Sequence, residues 1–218
     1  MSPTPTPAQI RAAAARLVSQ TADGGRSLDD LLANDADEGS ARGLKRSLAY
    51  GTLRWHFRLV AILARLTERP VDRMQPELRA LLEVGLFQLL AGEPAEHAAV
   101  AETVNAAREL GFARGAGFVN AVLRRFQREG AAVLQAVDVD LAARTAHPRW
   151  FVEALQCERP ATAVAILEAN NVHPPMWLRV NRQRASVAEY QAALVAAGWQ
   201  ARRHPQAPDA LLIEPAAD

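Results

Sequence analysis

Cysteine and lysine are nearly missing from this chain, whose 218 residues include one of each, Cys157 and Lys45. A single cysteine excludes an internal disulfide and a metal site built of several thiolates. We interpret Cys157 as a structural thiol, because the carboxylate of Glu158 follows it and a reactive thiolate needs electropositive surroundings. The five histidines show no pair at the spacing of metal ligands, so we expect no metal site.

Long hydrophobic runs are also missing, and so is a leader sequence. No apolar run reaches the roughly 18 residues that a membrane-spanning helix needs. Residues 1–7 contain neither the basic region nor the apolar core of a signal peptide. We therefore expect a cytoplasmic protein without membrane association, in which residues 1–7 are disordered.

Charge of one sign is not in excess, since the formal net charge is +1 at pH 7. Bulk charge therefore does not indicate a nucleic-acid partner. Arginine replaces lysine almost throughout, and arginine makes bidentate contacts to phosphate and stacks on bases. A genome rich in G and C would produce the same bias, so composition leaves both explanations open.

Aromatic residues make up only 6% of a chain that is 50% hydrophobic, so Ala, Leu and Val supply most of its apolar surface. Ala and Leu favour helices, and apolar spacing at i, i+3 and i+4 predicts a helical bundle over residues 8–130. The predicted helices are Ala8–Gln20, a short one after Ser27, Ser40–Glu68 with a possible kink at Gly51, Pro76–Leu90 ended by Gly92 and Pro94, Glu96–Leu110, and Gly115–Glu129 ended by Gly130. An acidic loop is predicted over Asn34–Gly39.

The pattern changes after Gly130. Proline and glycine punctuation predicts a helical linker of short helices over residues 131–173. Over residues 174–218, the first segment has a period of two, with Met176, Leu178 and Val180 on one side and Trp177, Arg179 and Asn181 on the other. Together with the later periodicity, this predicts the order strand, helix, strand, strand. A complete ferredoxin-like or RRM-like domain needs about one more helix and strand. The expected fold class is therefore mainly α: a helical bundle, a helical linker and an incomplete small α+β segment.

Two groups of arginines are candidate RNA contacts. The first arginine group consists of Arg54, Arg58, Arg65 and Arg69. It is expected to share one sector of the long predicted helix, which runs from about Ser40 to Glu68, beside Trp55. The second arginine group consists of Arg114, Arg124, Arg125 and Arg128. Arginine-rich helix faces can bind RNA phosphates, and a solvated helix face is the alternative explanation.

Trp177 and Arg179 are a third candidate, because they share the outward face of the first predicted strand. An indole and a guanidinium there could stack on an unpaired base. Alternatively, Trp177 packs against a neighbouring domain. His97 could be imagined as a general base, but its place at a helix start favours a capping or surface role.

Four short strings carry a family resemblance. They are Tyr50–Trp55 (YGTLRW), His97–Val104 (HAAVAETV), Phe118–Arg125 (FVNAVLRR) and Pro174–Asn181 (PPMWLRVN). In this order they resemble the N-terminal half of the rRNA small-subunit methyltransferase B family, also called Sun or Fmu proteins. The first three would fit any NusB-like domain, the fold of the transcription antitermination factor NusB. The fourth, preceded by Ile166–Asn171 (ILEANN), is specific to the methyltransferase and favours that family.

The resemblance implies RNA recognition for this chain. In that family a Rossmann-like domain binds S-adenosylmethionine, and two of its cysteines form and resolve a covalent adduct with the target cytosine of 16S rRNA, so that C5 takes the methyl group. None of those motifs lies within these 218 residues. We therefore expect the catalytic domain to be absent, the chain to be inactive alone, and no catalytic, cofactor or metal residue to carry over.

The resemblance to NusB has one departure. NusB has a basic N-terminal segment that meets RNA, whereas the first predicted helix offers only Arg11 and Arg16. RNA contact should therefore depend on Arg42, Lys45 and Arg46 together with the two arginine groups. Two other functions stay open: a stand-alone antitermination module that binds RNA or protein and regulates transcription, and a scaffold that joins domains.

Overall fold

The computed structural model of the chain describes residues 4–33, 39–92 and 96–215. The chain divides into two compact units, Met1–Asn171 and Val172–Asp218. The first unit is entirely helical over the described residues. Its helices are α1 (Pro7–Ala22), α2 (Leu28–Ala33), α3 (Gly39–Arg54), α4 (His56–Leu66), α5 (Pro76–Ala91), α6 (Glu96–Glu109), α7 (Ala116–Asp138), α8 (Leu141–Arg144), α9 (Arg149–Glu158) and α10 (Ala163–Asn171). Short 3-10 helices span Val71–Arg73 and Ala113–Gly115.

Helix α5 lies at the centre of the bundle, in contact with α1, α3, α4, α6 and α7. Leu81, Leu82 and Leu86 are completely buried, as the dense apolar spacing predicts. Pro76 occupies the first turn, where its missing N–H has no helical partner to lose. Gly92 ends the helix in the left-handed conformation, with φ of 72°. Pro94, also expected to end it, lies outside the described residues.

Helical structure begins nearer to the start of the chain than predicted, at Pro7 with Thr6 as its cap. Thr6 caps α1: its side chain accepts the N–H of Gln9, and the Gln9 side chain accepts the N–H of Thr6. Because this capping box satisfies exposed donors of the first turn, the predicted disorder of residues 1–7 does not extend to Thr6 and Pro7. Residues 1–3, like residues 34–38 of the predicted acidic loop, lie outside the described residues.

The prediction of one helix over Ser40–Glu68 is wrong. Trp55 leaves helical geometry, with φ of −100° and ψ of 9°, and separates α3 from α4. The chain does not bend at Gly51. The glycine instead allows α3 to approach α5 closely, since a Cβ at residue 51 would lie 2.1 Å from Cζ of Phe87. Because no proline or glycine marks residue 55, the break depends on tertiary packing, which keeps the indole half-buried against the core.

Helix α7 continues eight residues beyond Gly130, its predicted end, to Asp138. The cost of an interior glycine, about 1 kcal/mol relative to alanine, is offset because Val133 and Val137 continue the buried face that runs through Val119 and Phe126. The predicted linker 131–173 therefore starts inside the last helix of the bundle. Its remaining helices form a small core around Ala142, Val152 and Leu167. Cys157, interpreted as structural, is exposed on α9 instead of packed inside.

The second unit contains β1 (Met176–Arg179), α11 (Val187–Ala196), β2 (Trp199–Arg203) and β3 (Ala210–Pro215). The strands form an antiparallel sheet in the order β1-β3-β2. Helix α11 covers one face, where Val187 and Leu194 pack against Leu211 of β3. The predicted fold class, mainly α with a β-α-β-β segment, is confirmed.

Candidate RNA interface

The second arginine group lies on and before α7, which packs against α4. Arg125 turns towards α4: its Nη1 donates to the carbonyl oxygen of Leu66 at 3.2 Å, and its Nε contacts Oε2 of Glu129 at 2.8 Å. Leu66 is the last residue of α4, where carbonyl oxygens lack helical donors and attract a cation. Arg125 therefore joins the two helices, and only part of its charge faces solvent.

The other members of the second arginine group face outwards to different degrees. Arg124 is half-buried, and its Nη1 contacts Oε1 of Gln127 at 2.9 Å and Nδ1 of His97 at 3.3 Å. His97 thus has the surface position expected of it, beside an arginine. Arg114 and Arg128 are exposed, and neither has a hydrogen bond or ion pair within residues 4–33, 39–92 and 96–215.

The first arginine group does not share one sector, because Trp55 interrupts the helix. Arg54 ends α3, Arg58 and Arg65 belong to α4, and Arg69 follows α4. Nη1 of Arg58 lies 2.6 Å from Oδ1 of Asp138 and donates to the carbonyl oxygen of Arg144 at 2.9 Å. The expectation of a single stripe is therefore corrected, although the structure does bring Arg58 together with Trp55 in the wall of one cleft.

The cleft beside Arg58 measures about 480 Å³ and lies between α4, α5 and the end of α7. Phe87 and Leu90 line it together with Trp55. Phe87 could not be singled out from the sequence, since on a helix as apolar as α5 nothing distinguishes a cleft residue from a core residue. The guanidinium of Arg58 is already engaged there, by an ion pair with Asp138 and a hydrogen bond to the carbonyl oxygen of Arg144.

Arg65 and Arg54 are exposed without a hydrogen bond or ion pair in the described part of the chain. Arg69 donates to the carbonyl oxygen of Arg73 at 3.0 Å. Since Arg125 binds the last carbonyl group of α4, Arg65 in the last turn of α4 lies near the second arginine group. Arg65 and Arg125 are therefore neighbours at this end of α4, whereas Arg54 and Arg58 lie at its other end.

The basic residues of α3 differ in how much of each side chain is exposed to solvent. Arg42 is exposed, whereas Lys45 is only 7% exposed and interacts within the protein. Arg46 is half-buried beside the hydroxyl of Tyr50. That hydroxyl donates to Asp29, which raises the pKa of Tyr50, and Arg46 opposes the shift. Arg42 is thus the most exposed member of this set.

Arg11, one of the two basic residues of the first helix, is buried at 2% exposure, in keeping with the expectation that RNA contact depends on other residues. Its Nε donates to Oε1 of Gln88 at 2.9 Å and its Nη1 to the carbonyl oxygen of Pro7 at 2.9 Å. Burial lowers the pKa of Arg11, while the carboxylate of Glu102 acts in the opposite direction. Arg11 therefore has a structural role, and Arg16 remains exposed.

Trp177 and Arg179 lie on one face of β1, in register with Leu212 and Ala210 of β3. The indole of Trp177 is 42% exposed and meets the ring of His204 edge-on, with 4.9 Å between centroids. Both β1 residues line a cleft of about 360 Å³. The role of His204 could not be found from the sequence, because its contact with Trp177 joins positions far apart in the chain.

Within residues 4–33, 39–92 and 96–215 neither a metal-binding cluster nor a membrane-spanning helix is present. No group of three or more His, Cys, Asp or Glu side chains there is arranged to hold a metal ion. No described helix combines the length and the apolar character that crossing a membrane requires.

Two protein families match the chain in succession. The NusB family matches residues 8–128. The family described as Methyltr_RsmF/B-like, ferredoxin-like domain matches residues 147–218.

Several curated proteins named Ribosomal RNA small subunit methyltransferase B are similar to this chain. The protein of Pseudomonas putida is 41% identical over 210 residues, which are 95% of this chain and 48% of that protein. That of Pseudomonas syringae pv. tomato is 42% identical over 193 residues, covering 88% and 43%. That of Vibrio cholerae is 41% identical over 212 residues, covering 96% and 49%. The chain thus spans about half the length of these relatives.

A solved structure titled Crystal Structure of PH0851 has a similar fold. Its TM-score is 0.57 at 16% sequence identity, and the match covers all of this chain and 51% of that one. At this identity the likeness concerns the fold alone.

Proposed function

This chain belongs to the NusB family through residues 8–128, and we propose that it is the RNA-recognition part of a methyltransferase that acts on small-subunit ribosomal RNA. The observation that carries the proposal is the succession of the NusB domain and the RsmF/B-like ferredoxin-like domain. The curated relatives that match nearly the whole chain are named for methylation of that RNA.

The proposed reaction of the whole protein is transfer of a methyl group from S-adenosylmethionine to C5 of a cytosine in 16S rRNA. We assign no catalytic or cofactor residue to this chain. Its proposed role is to hold the rRNA next to a methyltransferase domain of the same protein, in the bacterial cytoplasm where ribosomes are assembled.

Exposed arginines support RNA binding by the helical unit. Arg65, Arg114 and Arg128 are exposed, and their guanidinium groups have no acceptor in the described residues. An unpaired cation can bind phosphate and release counterions, whereas an arginine already paired with a carboxylate gains less. The end of α4 and the adjoining part of α7 therefore form the proposed phosphate-binding surface.

The experiment measures fluorescence anisotropy of a labelled 16S rRNA stem-loop, and of a scrambled control, at several salt concentrations. The test variant is Arg65→Glu with Arg128→Glu. The matched control is Arg26→Glu with Arg159→Glu, which changes the charge equally at exposed arginines outside the proposed surface. We expect weaker binding of the test variant, with a log–log salt slope smaller by roughly two, about one for each phosphate that is no longer neutralised.

Other outcomes separate the alternatives. Equal binding by the test and control variants would remove the proposed surface. No binding by the unchanged chain would favour the scaffold, to which the internal engagement of Arg58 and Arg125 also points. A preference for single-stranded antitermination-type RNA over the stem-loop would favour the stand-alone antitermination module.

A further inference from the structure

One face of the small sheet is open. Residues directly opposite each other on paired strands project from the same face, and Leu212 of β3 faces Trp177 on one side and Arg202 on the other. The alternate residue, Leu211, is completely buried on the face that α11 covers. The open face therefore carries Trp177, Arg179, Arg202 and His204.

The indole of Trp177 is held in place from one edge. Nδ1 of His204 accepts hydrogen bonds from the backbone N–H groups of Gln206 and Ala207, each at 3.1 Å. These two bonds fix the imidazole, which meets the indole at an interplanar angle of 68°. An aromatic ring that is both oriented and 42% exposed needs little ordering before another ring stacks on it.

The charges around the indole suit a polyanion. Two carboxylates lie at this face, and both are already paired with arginines: Glu214 with Arg202 at 3.0 Å, and Asp209, which lines the cleft beside Trp177, with Arg182 at 2.7 Å. Arg179 is exposed and has no acceptor in the described chain. It separates two clefts, one of about 360 Å³ shared with Trp177 and one of about 240 Å³ shared with Arg184, a second exposed arginine. An aromatic platform is thus bordered by unpaired cations, the combination that single-stranded nucleic acids require.

We propose that the open face of the sheet binds single-stranded RNA, with one unpaired base stacked on Trp177 and the adjoining phosphates at Arg179 and Arg184. This inference rests on the proposed function and adds to it: the helical unit binds paired rRNA by its phosphates, and the small sheet selects an unpaired nucleotide. Stacking tolerates any base, so the site recognises an unpaired state more than a particular sequence.

The structure supplies a matched control for Trp177. Trp199 on β2 is also 42% exposed, but it lies in register with Pro215, on the face that α11 covers. The experiment compares the unchanged 218-residue chain with Trp177→Ala, Trp177→Phe and Trp199→Ala. The probes are a short labelled single-stranded RNA and the same RNA annealed to its complement. Circular dichroism checks that each variant is folded.

We expect Trp177→Ala to weaken single-strand binding by about 5- to 150-fold, the range that removal of one base–aromatic stack gives. Duplex binding should not change. Trp177→Phe should keep most of the affinity, and Trp199→Ala should behave as the unchanged chain. If removal of the ring in Trp177→Ala unfolds the sheet, Trp177→Phe still tests the proposal, because it keeps an aromatic ring on the folded sheet.

Two results would overturn the inference. If Trp177→Ala and Trp199→Ala bind the single strand equally, while the stem-loop still responds to Arg65→Glu with Arg128→Glu, the sheet face is not a base-binding site and the proposed function stands. If the unchanged chain binds neither single-stranded nor paired RNA, both the proposed function and this inference fail.

Discussion

Replacement of Arg58 by alanine should destabilise the helical unit, although the sequence pattern presents Arg58 as an RNA contact. The change removes an ion pair with Asp138 at 2.6 Å and a hydrogen bond to the carbonyl oxygen of Arg144 at 2.9 Å. The Asp138 side chain is 40% exposed, so solvent screening limits the ion pair to about 0.5–1 kcal/mol. A hydrogen bond from a charged donor adds about 1.5 kcal/mol. Arg58→Ala should therefore cost about 2 kcal/mol.

Thermal and urea unfolding, followed by the helical circular dichroism signal, measures this cost. For a unit of this size about 2 kcal/mol corresponds to a fall in Tm of roughly 4–8 °C. The matched control is Arg65→Ala, two turns later on α4, where the arginine is exposed and has no acceptor in the described residues. It should change stability by less than about 0.5 kcal/mol.

For RNA binding we expect the reverse of the stability result, with the larger effect from Arg65→Ala and the smaller from Arg58→Ala. At a temperature where both variants are folded, Arg65→Ala should reduce the salt dependence of stem-loop binding and Arg58→Ala should not. Equal losses of stability in the two variants would refute the assignment of Arg58 to the fold. So would a double-mutant cycle with Asp138→Ala that shows no coupling between the two side chains.

Two further predictions concern packing and a helix cap. Gly51→Ala should destabilise the helical unit by about 1–2 kcal/mol, because the new Cβ would lie 2.1 Å from the ring of Phe87. Gly43→Ala on the same helix meets open space and should stabilise the unit by up to about 1 kcal/mol. Urea unfolding shows whether each change lowers or raises the free energy of unfolding. The backbone N–H of Ser186 donates to the Glu189 carboxylate and lowers the pKa of that carboxyl. The ionised carboxylate therefore stabilises the start of α11 above the usual pKa of glutamate, and this stabilisation is lost as the pH falls. Glu189→Gln should therefore remove the acid-induced loosening of the first turn of α11 that amide hydrogen exchange detects, and an unaltered pH dependence would contradict this.

Local chemistry made part of the fold predictable. Pro76 and Gly92 mark the ends of α5 by their own backbone preferences, and both predictions are confirmed. The break at Trp55 and the continuation of α7 through Gly130 were not predictable in this way. Both depend on contacts with distant helices, which overrode the local signals of a continuous pattern and of a glycine.

In the candidate site, too, local sequence predicted some features, while others depend on contacts between residues far apart in the chain. Periodicity identified the arginines, but not which of them the protein itself engages, because Arg125 binds a carbonyl group 59 residues away and Arg11 binds a side chain 77 residues away. The family resemblance depended on short strings rather than on geometry. The comparisons confirm it, since the matched relatives bear the name of that family.

The two outer strands of the small sheet also affect how these 218 residues behave at high concentration. Strands at a sheet edge can pair with those of another molecule, which leads to aggregation. Strand β1 has only four residues and follows Pro174 and Pro175, which have no N–H to donate. Strand β2 carries Arg203 and Arg202, the latter paired with Glu214, and charged side chains on an edge strand disfavour pairing with a second copy. Intermolecular growth of the sheet is therefore opposed at both edges, so that neighbouring molecules in a crowded solution gain few hydrogen bonds by adding strand to strand.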